Sequence, residues 1–237
     1  RKSLIEPLTS RVAEDSAIMP LRKLKSYVDQ ANIPLPERFE TWNFVYREGR
    51  HTMLDPDFAA SIDPAGPFRL MQEVWDSSAS DDLLEKMLCY DWRFTLAEND
   101  LRKVGTMCDL AGVRVSFPML HQDLIDLAGR IPPNMKIRRM KLRDFYKRAT
   151  TGFLPDAIIK KTKKGFGLPF GNWLKTDQNL ANLVYSLLEG FKKRGIVKSA
   201  FIDTLISEHR SGHPGYYGYV IWDIAMLEAW LTSNTGN

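Results

Sequence analysis

The sequence predicts a mainly α-helical fold. In one segment after another, apolar residues recur at spacings of three and four, the period of a helix with one buried face. Glycine, proline and short acidic or amide residues fall between these stripes, where helices stop and start. Only one run alternates apolar and polar residues: Val113-Arg114-Val115-Ser116-Phe117. An average domain holds about 20–25% strand, so a chain with one such run belongs to the helical class. We expect about ten helices and a single helical domain over residues 1–237.

In chain order, Arg1 to Ala17 is polar and weakly patterned. Met19 to Ile33 carries Leu21, Leu24, Val28 and Ile33 at helical spacing, and Pro34 ends it. Pro36 suits the first turn of the next helix, which carries Phe39, Trp42, Phe44 and Val45 and stops near Gly49. Asp55-Pro56 reads as a cap followed by a first-turn proline. Asp63 to Pro67 is a turn, and Phe68 to Trp75 a short helix. Ser78 with Asp81 resembles a capping box opening a long helix through Leu96. Asp100 to Leu110 continues the helical pattern until Gly112. Val113 to Phe117 is a short extended piece closed by Pro118. Helices follow at Asp123 to Ile131 and Met140 to Ala149, and Pro155 opens another short turn of helix. After Trp173 three clear stripes remain, built on Leu180 to Phe191, Phe201 to Ile206, and Tyr219 to Leu231.

Composition excludes several classes. Of the residues, 44% are hydrophobic and 26% charged, ordinary for a globular protein. A net charge of +4 is too mild to argue for nucleic-acid binding over the whole surface. Cys89 and Cys108 make neither a disulfide framework nor a metal quartet, and read as buried free thiols. His51, His121, His209 and His213 lack metal-ligand spacing, so no metal site is expected. No apolar run approaches the ~18–20 residues of a membrane span, and no signal-peptide pattern appears. The chain begins with Arg1 rather than Met, so we expect a piece of something longer.

The richest stretch is Lys160-Lys161-Thr162-Lys163-Lys164-Gly165-Phe166-Gly167-Leu168-Pro169-Phe170-Gly171-Asn172-Trp173. Four lysines within five residues repel one another and need solvent or a polyanion to compensate. Gly165 and Gly167 let a ligand approach the main chain. Phe166, Leu168, Phe170 and Trp173 are too apolar for a free linker and should anchor the loop on a core. The alternatives are a loop that presents lysines to an anion, a solvated basic turn, and a nucleic-acid or nuclear-localisation patch. Neither GxxxxGK[ST] nor GxGxxG is present. Elsewhere, His121 reads as an N-terminal helix cap or a packing residue, Arg114 as a partner for a nearby carboxylate, and Trp222, Trp230, Tyr216 and Tyr217 as packing residues.

Three segments in this order resemble the synthetase domain of glutamine-hydrolysing asparagine synthetases. Asn99 to Met107 is similar to the family's D-x-L-x-K-V-D-R-x-S-M helix. Val113 to His121 resembles E-x-R-x-P-F-L-D. Lys141-Leu142-Arg143, then Phe153-Leu154-Pro155, then Lys160 to Trp173 resemble K-x-x-L-R…L-P…R-x-K-x-G-F-G-x-P…W. The chain departs from these patterns at Gly105 and Thr106, and at Arg114, Ser116 and His121. The family's S-G-G-x-D-S nucleotide loop and its G-x-D-E segment do not occur.

The resemblance implies the helical C-terminal portion of an α/β adenine-nucleotide α-hydrolase-like (ATP-pyrophosphatase) synthetase domain. It implies an ATP-dependent amidotransferase: a carboxylate is activated as an acyl-adenylate, and ammonia from glutamine then forms the amide, with asparagine biosynthesis as the family's setting. Lys163 takes the place of the family's phosphate-contacting lysine, with Lys164, Lys141 and Arg143 adding positive field for nucleotide and pyrophosphate. A solvated helix face is the other reading of Lys141 and Arg143. ATP is implied, with Mg2+ carried on its phosphates and no protein ligand for it in this chain. The implied partners are an N-terminal glutaminase and the ATP-loop segments of the same protein, in the cytoplasm, with no nucleic acid or membrane. The alternative is a non-catalytic helical module of the same fold that serves in binding or assembly.

Overall fold

The computed structural model describes residues 19–138, 141–162, 165 and 167–235, with side chains from residue 25. Fifteen α-helices follow one another among the described residues: α1 Met19–Asn32, α2 Phe44–Glu48, α3 Arg50–Met53, α4 Pro56–Ser61, α5 Gly66–Asp76, α6 Leu83–Asp91, α7 Arg102–Leu110, α8 Gln122–Arg130, α9 Pro133–Lys136, α10 Asp144–Ala149, α11 Asp156–Ile159, α12 Phe170–Thr176, α13 Gln178–Lys192, α14 Ser199–Ser211 and α15 Pro214–Asn234. Among the described residues there is no strand, only isolated bridges such as Leu54 with Val197. The mainly helical expectation holds. No described helix is long and apolar enough to cross a membrane.

Local chemistry explains the boundaries that differ from expectation. The single helix expected from Pro36 to Gly49 is broken at Asn43, whose backbone is extended (φ −70°, ψ 131°). Its side chain accepts from the Val45 N–H and caps α2, leaving a 3-10 turn over Glu37–Trp42. Asp55 caps α4 as expected, by accepting from the Asp57 N–H. Asp82, not Ser78, caps α6: one carboxylate oxygen accepts from both Leu84 and Glu85. From α6 the chain runs through π-helical Trp92–Leu101 directly into α7. Val113 to Phe117 pairs with no strand among the described residues. The helix expected from Met140 starts only at Asp144, because Arg143 sits in the left-handed region (φ 59°, ψ 23°); Met140 itself lies outside the described residues.

The chain divides into two compact units: one from residues 1–67 and 166–237, the other from 68–165. In the first, α15 packs against α12, α13 and α14. Leu188, Phe191, Ile202, Leu205 and Ile221 are almost wholly buried between them. Removing that much apolar surface from water is the main stabilising term, at roughly 25 cal/mol per Å². The stripes read from sequence match the buried faces of α13 and α14 in large part; on α15 Val220 and Ile224 are buried, but Tyr219, Leu227 and Trp230 are exposed and the wholly buried Ile221 lies outside the stripe. A small-residue crossing sets how closely α12 and α15 approach. A Cβ on Gly171 would lie 1.9 Å from the Pro214 carbonyl oxygen, and one on Gly218 would lie 2.3 Å from Gly171 Cα. Buried His209 on α14 donates from Nε2 to the Gly171 carbonyl at 2.8 Å, while Nδ1 lies 3.4 Å from the Tyr185 hydroxyl. At the far end of α15, buried Glu228 accepts from the Arg194 guanidinium and the Thr232 hydroxyl.

The second unit is thinner. Met71, Trp75 and Tyr90 are buried, but no described residue from Asp91 to Phe170 is. Leu110, Leu142 and Phe153 are 78%, 75% and 85% exposed. Its apolar stripes are those of packing helices, yet they are left uncovered.

Candidate functional site

The second unit holds an open cavity of about 1510 Å³. Leu88, Trp92 and Leu96 form one wall, Ile125, Ala128 and Ile131 another, and Phe145 and Tyr146 close a third side. Charged groups interrupt this apolar lining. Lys136 at the end of α9 donates to both carboxylate oxygens of Glu85, at 2.6 and 2.9 Å. These side chains are only 16% and 23% exposed, so each charge depends on the other. Asp100 also lines the cavity and accepts from Lys103 Nζ at 2.8 Å.

Arg143 lines the same cavity. It is the one non-glycine residue at positive φ among the described residues. Such backbone costs free energy for a residue with a Cβ and is often retained at sites of function. No ion pair or hydrogen bond engages its guanidinium among the described residues. Lys141 is exposed, its backbone N–H bonded to the Arg138 carbonyl, and it does not line the cavity. Lys163 and Lys164 lie outside the described residues, as does Phe166. Asp100 of the first family-like segment and Arg143 of the third thus line the same cavity. Sequence reasoning missed the Lys136–Glu85 pair, which links residues 51 positions apart and leaves no local signal.

The loop around the lysines is described in part. Lys160 pairs with Asp156 one helical turn back, at 2.6 Å, with both side chains about three-quarters exposed. This is a solvated surface pair of the kind worth little. On the other side, Phe170 stacks on Trp222 with centroids 4.2 Å apart and planes 12° apart. Trp173 and Tyr219 meet Phe170 edge-on at 5.5 and 6.2 Å. The Tyr219 hydroxyl donates to the Leu168 carbonyl at 2.9 Å. The expected apolar anchoring therefore holds for Phe170 and Trp173, although Leu168 is half-exposed and held through its backbone.

The remaining candidates take structural roles. His121 Nδ1 accepts from the Asp123 N–H and caps α8, as expected. Arg114 has no carboxylate partner among the described residues, so the pairing expected for it is absent there. Cys89 and Cys108 are free thiols but half-buried, not buried, because the second unit lacks a deep core. No group of three potential metal ligands occurs among the described residues.

Helices throughout the described residues, and a mainly apolar cavity lined by Asp100 and Arg143 from two of the family-like segments, fit a C-terminal synthetase portion, and the comparisons agree. Residues 6–232 match the sequence profile of the asparagine synthase family, and the chain belongs to that family. It is similar to asparagine synthetase [glutamine-hydrolyzing] 1 of Bacillus subtilis, at 21% identity over 92% of this chain and 34% of that protein. It is also similar to a putative asparagine synthetase [glutamine-hydrolyzing] of Mycobacterium tuberculosis, at 23% identity over 66% of this chain and 24% of that protein. The chain thus spans about a third or less of the relatives it matches. No solved structure matches it.

Proposed function

We propose that this chain is the C-terminal helical part of an ATP-dependent, amide-forming ligase. In the intact protein a carboxylate oxygen attacks the α-phosphorus of ATP, and the bond to the bridging oxygen of pyrophosphate breaks. Ammonia then attacks the acyl carbon of the adenylate. The C–O bond to AMP breaks, and the nitrogen loses a proton as the amide forms. Glutamine hydrolysed at an N-terminal domain supplies the ammonia, as the relatives' names suggest. Negative charge gathers on the phosphate oxygens in the first step, so a fixed cation there lowers the barrier. Lys163 is that cation in this reading, with Lys164, Lys141 and Arg143 adding field. The family match over residues 6–232 is the observation that carries the proposal. Arg143 supports it, since its backbone is in the left-handed region and the residue lines a cavity.

Mg2+ enters on the ATP phosphates. The described residues offer no cluster of three potential ligands to hold it. The nucleotide-cradling loop lies outside this sequence, and the uncovered apolar faces of the second unit fit a chain that works against further segments of the same protein. The intact enzyme acts in the cytoplasm, and the 237-residue chain by itself does not turn over ATP. Pyrophosphate release with ATP and aspartate tests this. Release by the isolated chain above background would refute the assignment of missing parts, and its absence in the intact protein would refute the ligase. One observation favours a second reading, a non-catalytic module of the same fold. At Gly105, Thr106, Arg114, Ser116 and His121 the chain departs from the family pattern, and His121 serves as a cap.

A further inference from the structure

We propose that the outward face of α15 is a docking seam for an amphipathic helix that carries one lysine or arginine on its apolar side, supplied by the part of the same protein outside this sequence. Helix α15 is apolar on most of its circumference. Its inward side, at Ile221, Ile224, Ala225 and Glu228, is buried in the first unit. Tyr219, Asp223, Met226 and Trp230 follow one another at spacings of four, three and four, which sets them in one line on the opposite side. Leu227 flanks that line. All five are exposed, Trp230 by 59% and Met226 by 38%. A helix that is apolar all round belongs to an interior, so this second face calls for a cover. From Tyr219 to Trp230 the line runs about 16–17 Å along the helix axis. A strip with this alternation of three and four is the seam that one helix offers another.

Asp223 decides what kind of helix fits. It is the one charged residue in the strip. Among the described residues no ion pair or hydrogen bond engages its carboxylate, and partial desolvation alone raises the carboxyl above its ordinary value. In this chain by itself the charge therefore goes unmatched. A wholly apolar cover would take away its remaining water and give nothing in return. A cation opposite would keep it ionised and fix the register of the two helices. A second α15 cannot supply that cation: the helix holds no Lys or Arg, and its two charged residues, Asp223 and Glu228, are both acidic. Two copies packed along the strip would bring carboxylate toward carboxylate. The chain spans about a third or less of the relatives it matches, and proteins of that length hold ample further chain from which such a helix can come.

The intact protein tests this through Met226. Methionine oxidation by dilute hydrogen peroxide follows exposure, and Met53, 8% exposed in the same unit, is the internal standard. With the seam occupied, Met226 should oxidise within about 3-fold of Met53, where a bare face would make it about 10-fold or more faster. Asp223→Lys and Asp223→Leu should each speed Met226 oxidation about 5–10-fold, because each leaves the partner's cation unmatched, while Met53 stays slow. Asp223→Glu keeps the charge and should change the rate little. A photo-crosslinking p-benzoylphenylalanine in place of Leu227 should capture residues outside this sequence. Fast oxidation of Met226 in the parent would overturn the seam. Oxidation that stays slow in Asp223→Leu would overturn the cation opposite. Capture of residues within 1–237, from the same copy or a second, would overturn the source. None of these readouts depends on whether the protein forms an adenylate, so the seam and the ligase reading fail separately.

Discussion

Gly171→Ala puts the most sharply defined strain into the fold. The new methyl would lie 1.9 Å from the Pro214 carbonyl oxygen, where ordinary contact begins near 3.4 Å. The start of α15 must therefore retreat from α12 by about 1.5 Å, and rigid backbone on both sides allows no cheap rotamer escape. Overpacking of this type costs about 1–3 kcal/mol. The retreat also disturbs the bond from buried His209 to the Gly171 carbonyl, and leaving a buried donor unsatisfied costs about 1–3 kcal/mol more. We expect a loss of about 2–6 kcal/mol, a large share of the ~5–15 kcal/mol that holds a typical domain. Urea unfolding followed by tryptophan fluorescence measures it, since Trp173 and Trp222 flank the crossing. Gly165→Ala, with open space around it, should stay within about 0.5 kcal/mol. A cost below about 1 kcal/mol for Gly171→Ala would refute the close crossing.

Two further predictions concern a cap and a partly desolvated acid. Asp82→Ala should cost about 1 kcal/mol in urea unfolding and Ser78→Ala less than half of that, since Asp82 caps α6; the reverse order would restore the serine as cap. Burial raises the Asp223 carboxyl above its ordinary value of 3.8. The folded state therefore favours the protonated acid: that stabilisation is complete below the unfolded value and is lost as pH rises through the folded one. Asp223→Asn should accordingly be more stable than the parent at neutral pH, with the advantage fading by about pH 3. An advantage independent of pH would contradict it.

Much of the helical architecture was legible because the buried faces of α13 and α14 repeat with the helical period, and Val184, Leu188, Ile202 and Leu205 mark them directly; α15 is apolar on most of its circumference, so its buried face at Ile221 and Ala225 was not singled out. The Asp55 and His121 caps were legible too, because a cap acts within three residues. What failed turned on competition between nearby groups. Ser78 and Asp82 both suit a cap, and the carboxylate that reaches two N–H groups won. Arg143 breaks a helical pattern through a backbone state that its side chain does not announce. The Lys136–Glu85 pair and the Tyr219–Leu168 bond join residues 51 positions apart, so only the fold brings them together. For the site, the third family-like segment pointed to Arg143, which lines the cavity, and to Lys141, which does not. The other two residues named for it, Lys163 and Lys164, lie outside the described residues.

The proposed role of the lysine loop in adenylate formation in the intact protein is tested by comparing Lys163→Ala with Lys160→Ala. The quantity to measure is the single-turnover rate of acyl-adenylate formation. Lys160 is already paired with Asp156 on an exposed surface, so its removal should change the rate little. Loss of Lys163 should remove charge that acts mainly in the transition state, slowing the step by about 10²–10³, or about 3–4 kcal/mol. Both variants should fold, since exposed charges usually contribute within about 0.5 kcal/mol. Equal and small effects would return the run to a solvated turn and contradict the account.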